Sequence, residues 1–230
     1  MTKRIATATV AFLLAGVIGR AEDAPAPDRF LWGGAVQVGQ PQGAFGDVAD
    51  TGVGATIHGT IRTSGGTLGW RLEGGWLVYG SEPLGTPVPG TQGRITADLA
   101  FTENSVGHAV TGPVVMAARG SVRPYASAFA GVSYFTTATE LRPNPIGVAV
   151  AYQTHFDDTV FTYGGSAGVL VPLGKSGVSL DLGARYSRNS DARYLVEGDV
   201  HQAPGGALLF VPRRSDADVL DFQIGLTFGR

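Results

Sequence analysis

The chain has 230 residues, 35 glycines, no cysteine and a formal net charge of −2. The missing cysteines exclude a disulfide scaffold and thiolate chemistry, and the acidic balance excludes a basic nucleic-acid binder. Glycine at this abundance, mixed with valine, threonine and aromatic residues, is typical of strands that bend and pack closely. The length suits one domain.

The N-terminal segment has the pattern of a bacterial export signal. Lys3 and Arg4 form a basic start, and the uncharged run from Ile5 to Ile18 is shorter than the roughly 20 residues of a membrane-spanning helix. Small residues at Gly19 and Ala21 form a cleavage site. The sequence therefore predicts a signal peptide at 1–21 and one mature domain at 22–230.

Eight segments of the mature chain have strand character. They are 29–39, 53–62, 68–80, 108–119, 122–135, 159–173, 178–187 and 219–228. The connections between them alternate strictly between long and short, as in transmembrane barrels with tight periplasmic turns and long outer loops. The fold class predicted is all-β: an eight-stranded antiparallel up-and-down transmembrane β-barrel with both chain ends on the periplasmic side.

Within these segments, apolar and polar residues alternate, so each strand has two different faces. The last strand shows this most clearly, with Leu220, Phe222, Ile224, Leu226 and Phe228 opposite Asp221, Gln223, Gly225 and Thr227. In the seventh strand Leu182 is predicted to face lipid and Gly183 the lumen, where serine should be tolerated. The fourth strand is interrupted by Gly112 and Pro113, so a bulge or irregular start is expected there.

Alternation alone does not say whether the apolar face points outward to lipid or inward to a dry core. A soluble lipocalin-like barrel in the periplasm also alternates, with its apolar side inward. The mature chain holds a single lysine, Lys175, whereas a water-exposed barrel would carry many. Aromatic residues near strand ends match interfacial girdles: Trp32, Trp70, Tyr134, Tyr163, Tyr186 and Phe228. These features favour an integral protein of the bacterial outer membrane, in contact with its lipid and lipopolysaccharide.

Three strand segments resemble a known family. Val122-Arg123-Pro124-Tyr125 with the small residues after it, Phe161 to Val169, and Leu180 to Tyr186 are similar to strands of the opacity-like, OmpA-like small outer-membrane β-barrel proteins of the porin family. Phe228 resembles the terminal aromatic residue read by the barrel-assembly machinery, although Gly229 and Arg230 follow it. The resemblance implies the architecture and that assembly partner. It does not imply one function, since the family includes adhesins and small porins.

The polar faces place charged residues inside the predicted barrel. The candidate lumen network is His58, Arg62, Arg71, Glu73, Arg123, Asp181, Arg185 and Asp221. A charge inside a narrow barrel costs several kcal/mol unless it is paired, and eight strands enclose little more than their own side chains. A mostly plugged lumen is therefore predicted, with a narrow passive channel as the alternative.

Enzymatic signals are weak. No two of the four histidines, His58, His108, His155 and His201, lie within four residues of each other, so there is no helical metal-ligand pair. Neither a catalytic site, nor a metal, nor a cofactor is predicted. The long outer loops are expected to serve a structural or surface-binding role, for which the sequence names no ligand.

Overall fold

The computed structural model describes residues 29–87, 96–141, 151–174, 176–196, 199–202 and 208–229. The predicted signal peptide lies outside these residues. The strands are β1 (Phe30–Pro41), β2 (Gly52–Arg62), β3 (Leu68–Pro87), β4 (Thr96–Met116), β5 (Arg123–Leu141), β6 (Ala151–Pro172), β7 (Val178–Asn189), β8 (Ala192–Tyr194), β9 (Val200–Gln202), β10 (Leu208–Phe210), β11 (Arg213–Ser215) and β12 (Val219–Gly229). A short helix, α1 (Gly43–Gly46), follows β1. Helices long and apolar enough to span a bilayer are absent from the described ranges.

Strands β1 to β7 and β12 close into one antiparallel barrel. From β1 to β7, each strand pairs with the next one along the chain. β12 closes the sheet by pairing with both β7 and β1. The predicted eight-stranded up-and-down barrel is confirmed. Strands β8 to β11 form two small hairpin-like pairs in the segment between β7 and β12.

The strands are staggered around the barrel. Following the paired residues once around leads from Leu31 back to β1 at Pro41, ten residues further along the chain. Such a stagger requires the strands to tilt against the barrel axis, and a barrel of only eight strands encloses a narrow lumen. Side chains from opposite walls can therefore meet in the lumen.

Four strands are longer than predicted. β3 continues to Pro87, β4 begins at Thr96 rather than 108, β5 continues to Leu141, and β6 begins at Ala151 rather than 159. The connections within these two pairs shrink to 88–95 and 142–150. The added part of β4 includes the polar run 102–105, which does not alternate. The alternation of apolar and polar residues therefore covers only part of each of these strands.

The irregularity expected in β4 takes a different form. Gly112 and Pro113 lack partners in β5, yet the register is the same on both sides of the gap, from Thr111 opposite Ala130 to Val114 opposite Ser127. Proline has no N–H to donate to the ladder. The interruption therefore removes pairing locally without a bulge.

The apolar faces point outward. Ile57 is 71% exposed, whereas its neighbours Thr56 and His58 are 1% and 7% exposed. Aromatic side chains lie near both ends of this outer belt: Phe30, Trp32, Trp70 and Phe228 at the short-turn end, and Trp76, Tyr134, Tyr163 and Tyr186 at the other. Trp32 stacks on Phe228 with ring centroids 4.6 Å apart. This arrangement is the opposite of a lipocalin-like soluble barrel, and it is that of a barrel with lipid outside.

Candidate functional site in the barrel lumen

The centre of the lumen contains an ion-pair network built from three strands. Arg71 and Glu73 lie two residues apart on β3, so both face inward, and Arg71 Nη2 lies 2.8 Å from Glu73 Oε2. Arg185 on β7 lies directly opposite Asp221 on β12 in the strand register. Arg185 Nη2 donates to Asp221 Oδ2 at 2.8 Å, and Nε donates to the same oxygen at 3.1 Å.

Arg185 also joins the two sides of the barrel. Its Nη1 donates to Glu73 Oε1 at 3.1 Å, although β7 and β3 are not neighbours in the sheet. Glu73 therefore accepts hydrogen bonds from Arg71 on its own strand and from Arg185 across the lumen. Because all four of these side chains are almost fully buried, each charge depends on the others for stabilisation.

Asp181 on β7 is the centre of a second group on the side of the lumen nearer the short turns. Tyr125 Oη donates to Asp181 Oδ1 at 2.8 Å, and Thr227 Oγ1 donates to Oδ2 at 3.2 Å. His58 Nε2 lies 3.1 Å from Thr227 Oγ1 and 4.0 Å from Asp181 Oδ2. Gln223 Nε2 donates to Tyr125 Oη at 3.2 Å. Among the described residues no arginine lies within 4.0 Å of the Asp181 carboxylate, which is held mainly by hydroxyl groups.

Gly183 provides the space for this group. A Cβ atom at residue 183 would lie 2.6 Å from Tyr125 Oη and 2.9 Å from Gln223 Nε2. A side chain at this position needs the Tyr125 hydroxyl and the Gln223 amide to shift, so tolerance of serine there stays a prediction.

His108 is part of the central network, although the sequence placed it beside a loop. Its ring nitrogens contact both terminal nitrogens of the Arg185 guanidinium, and Nε2 lies 3.9 Å from Glu73 Oε1. Val110 points into the lumen, and β4 begins well before residue 108. His108 lies two residues before Val110 on the same strand, so its side chain points into the lumen as well. The predicted strand 108–119 already begins with His108, and its parity with Val110 is the signal that could have found it.

Two of the proposed network residues lie apart from the centre. Arg62 Nε donates to the carbonyl oxygen of Gly66 at 2.8 Å, in the β2–β3 turn. Arg123 Nη2 donates to Ser179 Oγ at 2.7 Å. Both arginines lie at the short-turn end of the lumen. The structure brings together the other six: His58, Arg71, Glu73, Asp181, Arg185 and Asp221.

An apolar layer lies at the short-turn end of the lumen. It is formed by inward residues of four strands: Leu31, Val114, Met116, Tyr125 and Leu170. Each is at most 3% exposed. Tyr125 belongs to this layer by its ring and to the Asp181 group by its hydroxyl. The ring also lies under the Arg71 guanidinium, 5.5 Å from Cζ to the ring centroid.

A larger apolar cluster, which no sequence pattern predicts, fills the opposite end of the lumen. Phe45 of α1 is fully buried and packs edge-on against Tyr79 and Tyr194, with centroid distances of 5.1 and 4.7 Å. The mouth cluster is Phe45, Leu77, Tyr79, Val106, Phe135, Ala192, Tyr194, Val196, Ala217 and Val219. Its members from α1, β8 and the residues beside β12 belong to connections, which have no strand periodicity. The connections therefore fold into the barrel mouth.

Arginine–aspartate pairs hold the connection between β7 and β12 in place. Arg213 Nε donates to Asp199 Oδ2 at 2.8 Å, and Arg214 makes two hydrogen bonds with Asp191. The Arg214 hydrogen bonds hold the pKa of the Asp191 carboxyl below its ordinary value. The Arg214–Asp191 pair is exposed and adds little stability, whereas Asp199 is 7% exposed and its pair with Arg213 is partly buried beside the mouth cluster.

The remaining free space beside the central network is small. One cavity, lined by Arg71, Glu73 and Phe129, and another, lined by His108, Arg185 and Asp221, each have a volume of about 10 Å³. That is room for about one water molecule. Among the residues described, no cluster of three or more histidines or carboxylates is arranged to hold a metal ion.

An antiparallel barrel of eight strands with an apolar outer belt and a polar lumen defines a small β-barrel of the outer-membrane type. The structure is similar to the crystal structure of Neisserial surface protein A, with a TM-score of 0.52 and 13% identity over 87% of this chain and 97% of that one. The predicted resemblance to the small outer-membrane barrels is confirmed at the level of the fold.

Two further solved structures are similar to this one. Ail of Yersinia pestis, crystallised with the heparin analogue sucrose octasulfate, has a TM-score of 0.44 and 13% identity over 88% of this chain and 97% of its own. A major outer membrane protein from Thermus thermophilus has a TM-score of 0.43 and 14% identity over 86% and 98%. No protein-family model and no curated protein matches the sequence.

Proposed function

We propose that the protein is an integral β-barrel of the bacterial outer membrane whose lumen is closed and whose outer rim has a structural or surface-binding role. In this proposal residues 1–21 direct export, and the barrel-assembly machinery inserts the mature domain. The protein acts by presenting its outer rim, not by catalysis or conduction. The observation that carries the proposal is the Arg185 bridge to Glu73 and Asp221, which lies between two apolar layers.

The closed lumen is supported by the order of three layers of side chains along the barrel axis. An ion entering from outside meets the mouth cluster first, where aromatic rings offer no replacement for its hydration shell. It next meets the central network, whose guanidinium and carboxylate groups already bind one another. The layer around Leu31 and Met116 closes the other end. Each layer would have to rearrange before a continuous water path formed.

The role at the outer rim is supported by the length of β3 to β6. Their paired backbones continue well past the aromatic positions Trp76 and Tyr134, to Pro87 and Leu141. A strand rises about 3.3 Å per residue, so these four strands extend far beyond the apolar belt. Hydrogen-bonded strands present a partner with a more rigid surface than loops do.

The test combines location, folding and conductance. We expect the protein in the outer-membrane fraction, with heat-modifiable migration on gels, and we expect planar bilayers containing it to remain silent under voltage. Recovery in the soluble periplasmic fraction would reject the membrane assignment. Steady conductance by correctly folded wild-type protein would reject the closed lumen in favour of the narrow channel.

A further inference from the structure

Most strand glycines of this barrel are required by their own surroundings. A Cβ atom at Gly54 would lie 1.9 Å from the carbonyl oxygen of Trp76, and one at Gly131 would lie 2.1 Å from that of Ala109. Distances this short are impossible for a real side chain without movement of the backbone. Glycine at these positions is explained by packing within the chain.

Three strand glycines are different. Among those whose surroundings the structure describes, only Gly34, Gly59 and Gly74 have every neighbouring atom at 3.4 Å or more from the missing Cβ. The nearest atoms lie at 3.4, 4.0 and 3.5 Å respectively, which is ordinary contact. Glycine weakens a strand and often marks a place where another molecule approaches closely. No atom in the described part of the chain requires glycine at these three positions.

The three glycines line one groove on the outer wall. Gly34 and Gly74 lie on either side of Ile57 in the strand register, and Gly59 lies opposite Leu72. The groove has a volume of about 650 Å³, and Trp32, Ile57, Leu72 and Ala109 complete its outward-facing lining. Trp32, Ile57 and Leu72 are between 51% and 71% exposed and stand above the glycines as its walls. The groove is therefore a depression in the apolar belt.

We propose that this groove holds one acyl chain of a membrane phospholipid. The groove is continuous with the lipid-facing surface, and its exposed lining is almost entirely apolar, so hydrocarbon fills it better than water does. It begins beside Trp32, which belongs to the aromatic positions at the short-turn end. The lipid therefore belongs to the leaflet on the periplasmic side. The proposal rests on the membrane location proposed above.

The test uses a variant whose new side chains fill the groove. In Gly59→Val/Gly74→Val the added methyl groups have room inside the protein but occupy the depression. The control Ala130→Val adds two methyl groups to an exposed position on β5, outside the groove. Each protein is extracted from membranes in mild detergent, washed, and examined by native mass spectrometry for bound phospholipid. Heat-modifiable migration confirms that each variant is folded.

We expect one phospholipid per barrel in the wild type and in Ala130→Val, and a loss of about tenfold or more in occupancy in the filled variant. Absence of lipid from the folded wild type, or equal retention by the filled variant, would overturn the proposal. A wild-type dimer without lipid that becomes monomeric in the filled variant would overturn it in favour of contact between two barrels. Failure of the membrane location itself would appear separately, as soluble protein without heat-modifiable migration.

Discussion

Replacing Arg185 with methionine tests whether the central network stabilises the barrel. The substitution keeps much of the side-chain volume but removes the charge that binds Glu73 and Asp221. Glu73 retains Arg71 as a partner at 2.8 Å. Asp221 loses both hydrogen bonds that its Oδ2 accepts from Arg185, and its Oδ1 has no hydrogen-bond partner among the described residues. The cost therefore falls mainly on Asp221, which is 1% exposed.

Removing one partner of a buried ion pair costs about 3–5 kcal/mol, because the other charge remains buried. We expect Arg185→Met to lower the free energy of unfolding by an amount in that range. The double variant Arg185→Met/Asp221→Asn should recover about half of the loss or more, since the stranded charge is then also removed.

The measurement is urea unfolding of the barrel in phospholipid vesicles, followed by tryptophan fluorescence. Comparison of the single and double variants separates the stranded charge from general damage to packing. A loss below about 1 kcal/mol for Arg185→Met, the range of an exposed pair, would refute the reasoning. So would a double variant that is no more stable than the single one.

Three further changes test the outer face, the lumen packing and the barrel closure. Leu182→Arg places a charge on the lipid-facing side of β7 and should cost about 2–4 kcal/mol, seen as a lower yield of heat-modifiable protein; an unchanged yield would contradict the face assignment. Gly183→Ala should cost about 1–3 kcal/mol in urea unfolding, because its Cβ would press on Tyr125 Oη at 2.6 Å; a neutral effect would show that the tyrosine moves freely. Phe228→Ala removes the stack on Trp32 and should reduce the folded fraction in outer membranes; equal amounts of wild type and variant would reject a role in assembly.

The fold was predictable because its signal is local. A strand repeats every two residues, so the inward parity of Arg71, Glu73 and Asp221 follows from a few neighbours in the chain. Partners within the lumen are not local. Nothing in the sequence around Arg185 indicates that it reaches Glu73 across the barrel, because that contact depends on strand stagger and barrel width.

The mouth cluster could not be predicted for a related reason. Phe45 and Tyr194 lie in connections with no repeating pattern, so their burial depends on how the connections fold back. His108 is an intermediate case: its parity with Val110 is readable, but it stands at the first position of the predicted strand, which in the structure begins at Thr96. Burial of loop aromatics is decided by tertiary packing, and only the structure reveals it.

The Arg185–Glu73 bridge has a consequence for the order of assembly. Its two strands, β7 and β3, are brought opposite each other only when β1 and β12 meet and the sheet becomes a cylinder. Until then the arginine and the carboxylates remain hydrated. An incompletely closed sheet therefore does not contain buried, unpaired charges, which would destabilise it. Closure at Trp32 and Phe228 is therefore also the moment when the interior loses its water. The pairing of the first strand with the last, separated by almost the whole chain, is a non-local contact of the kind that slows folding.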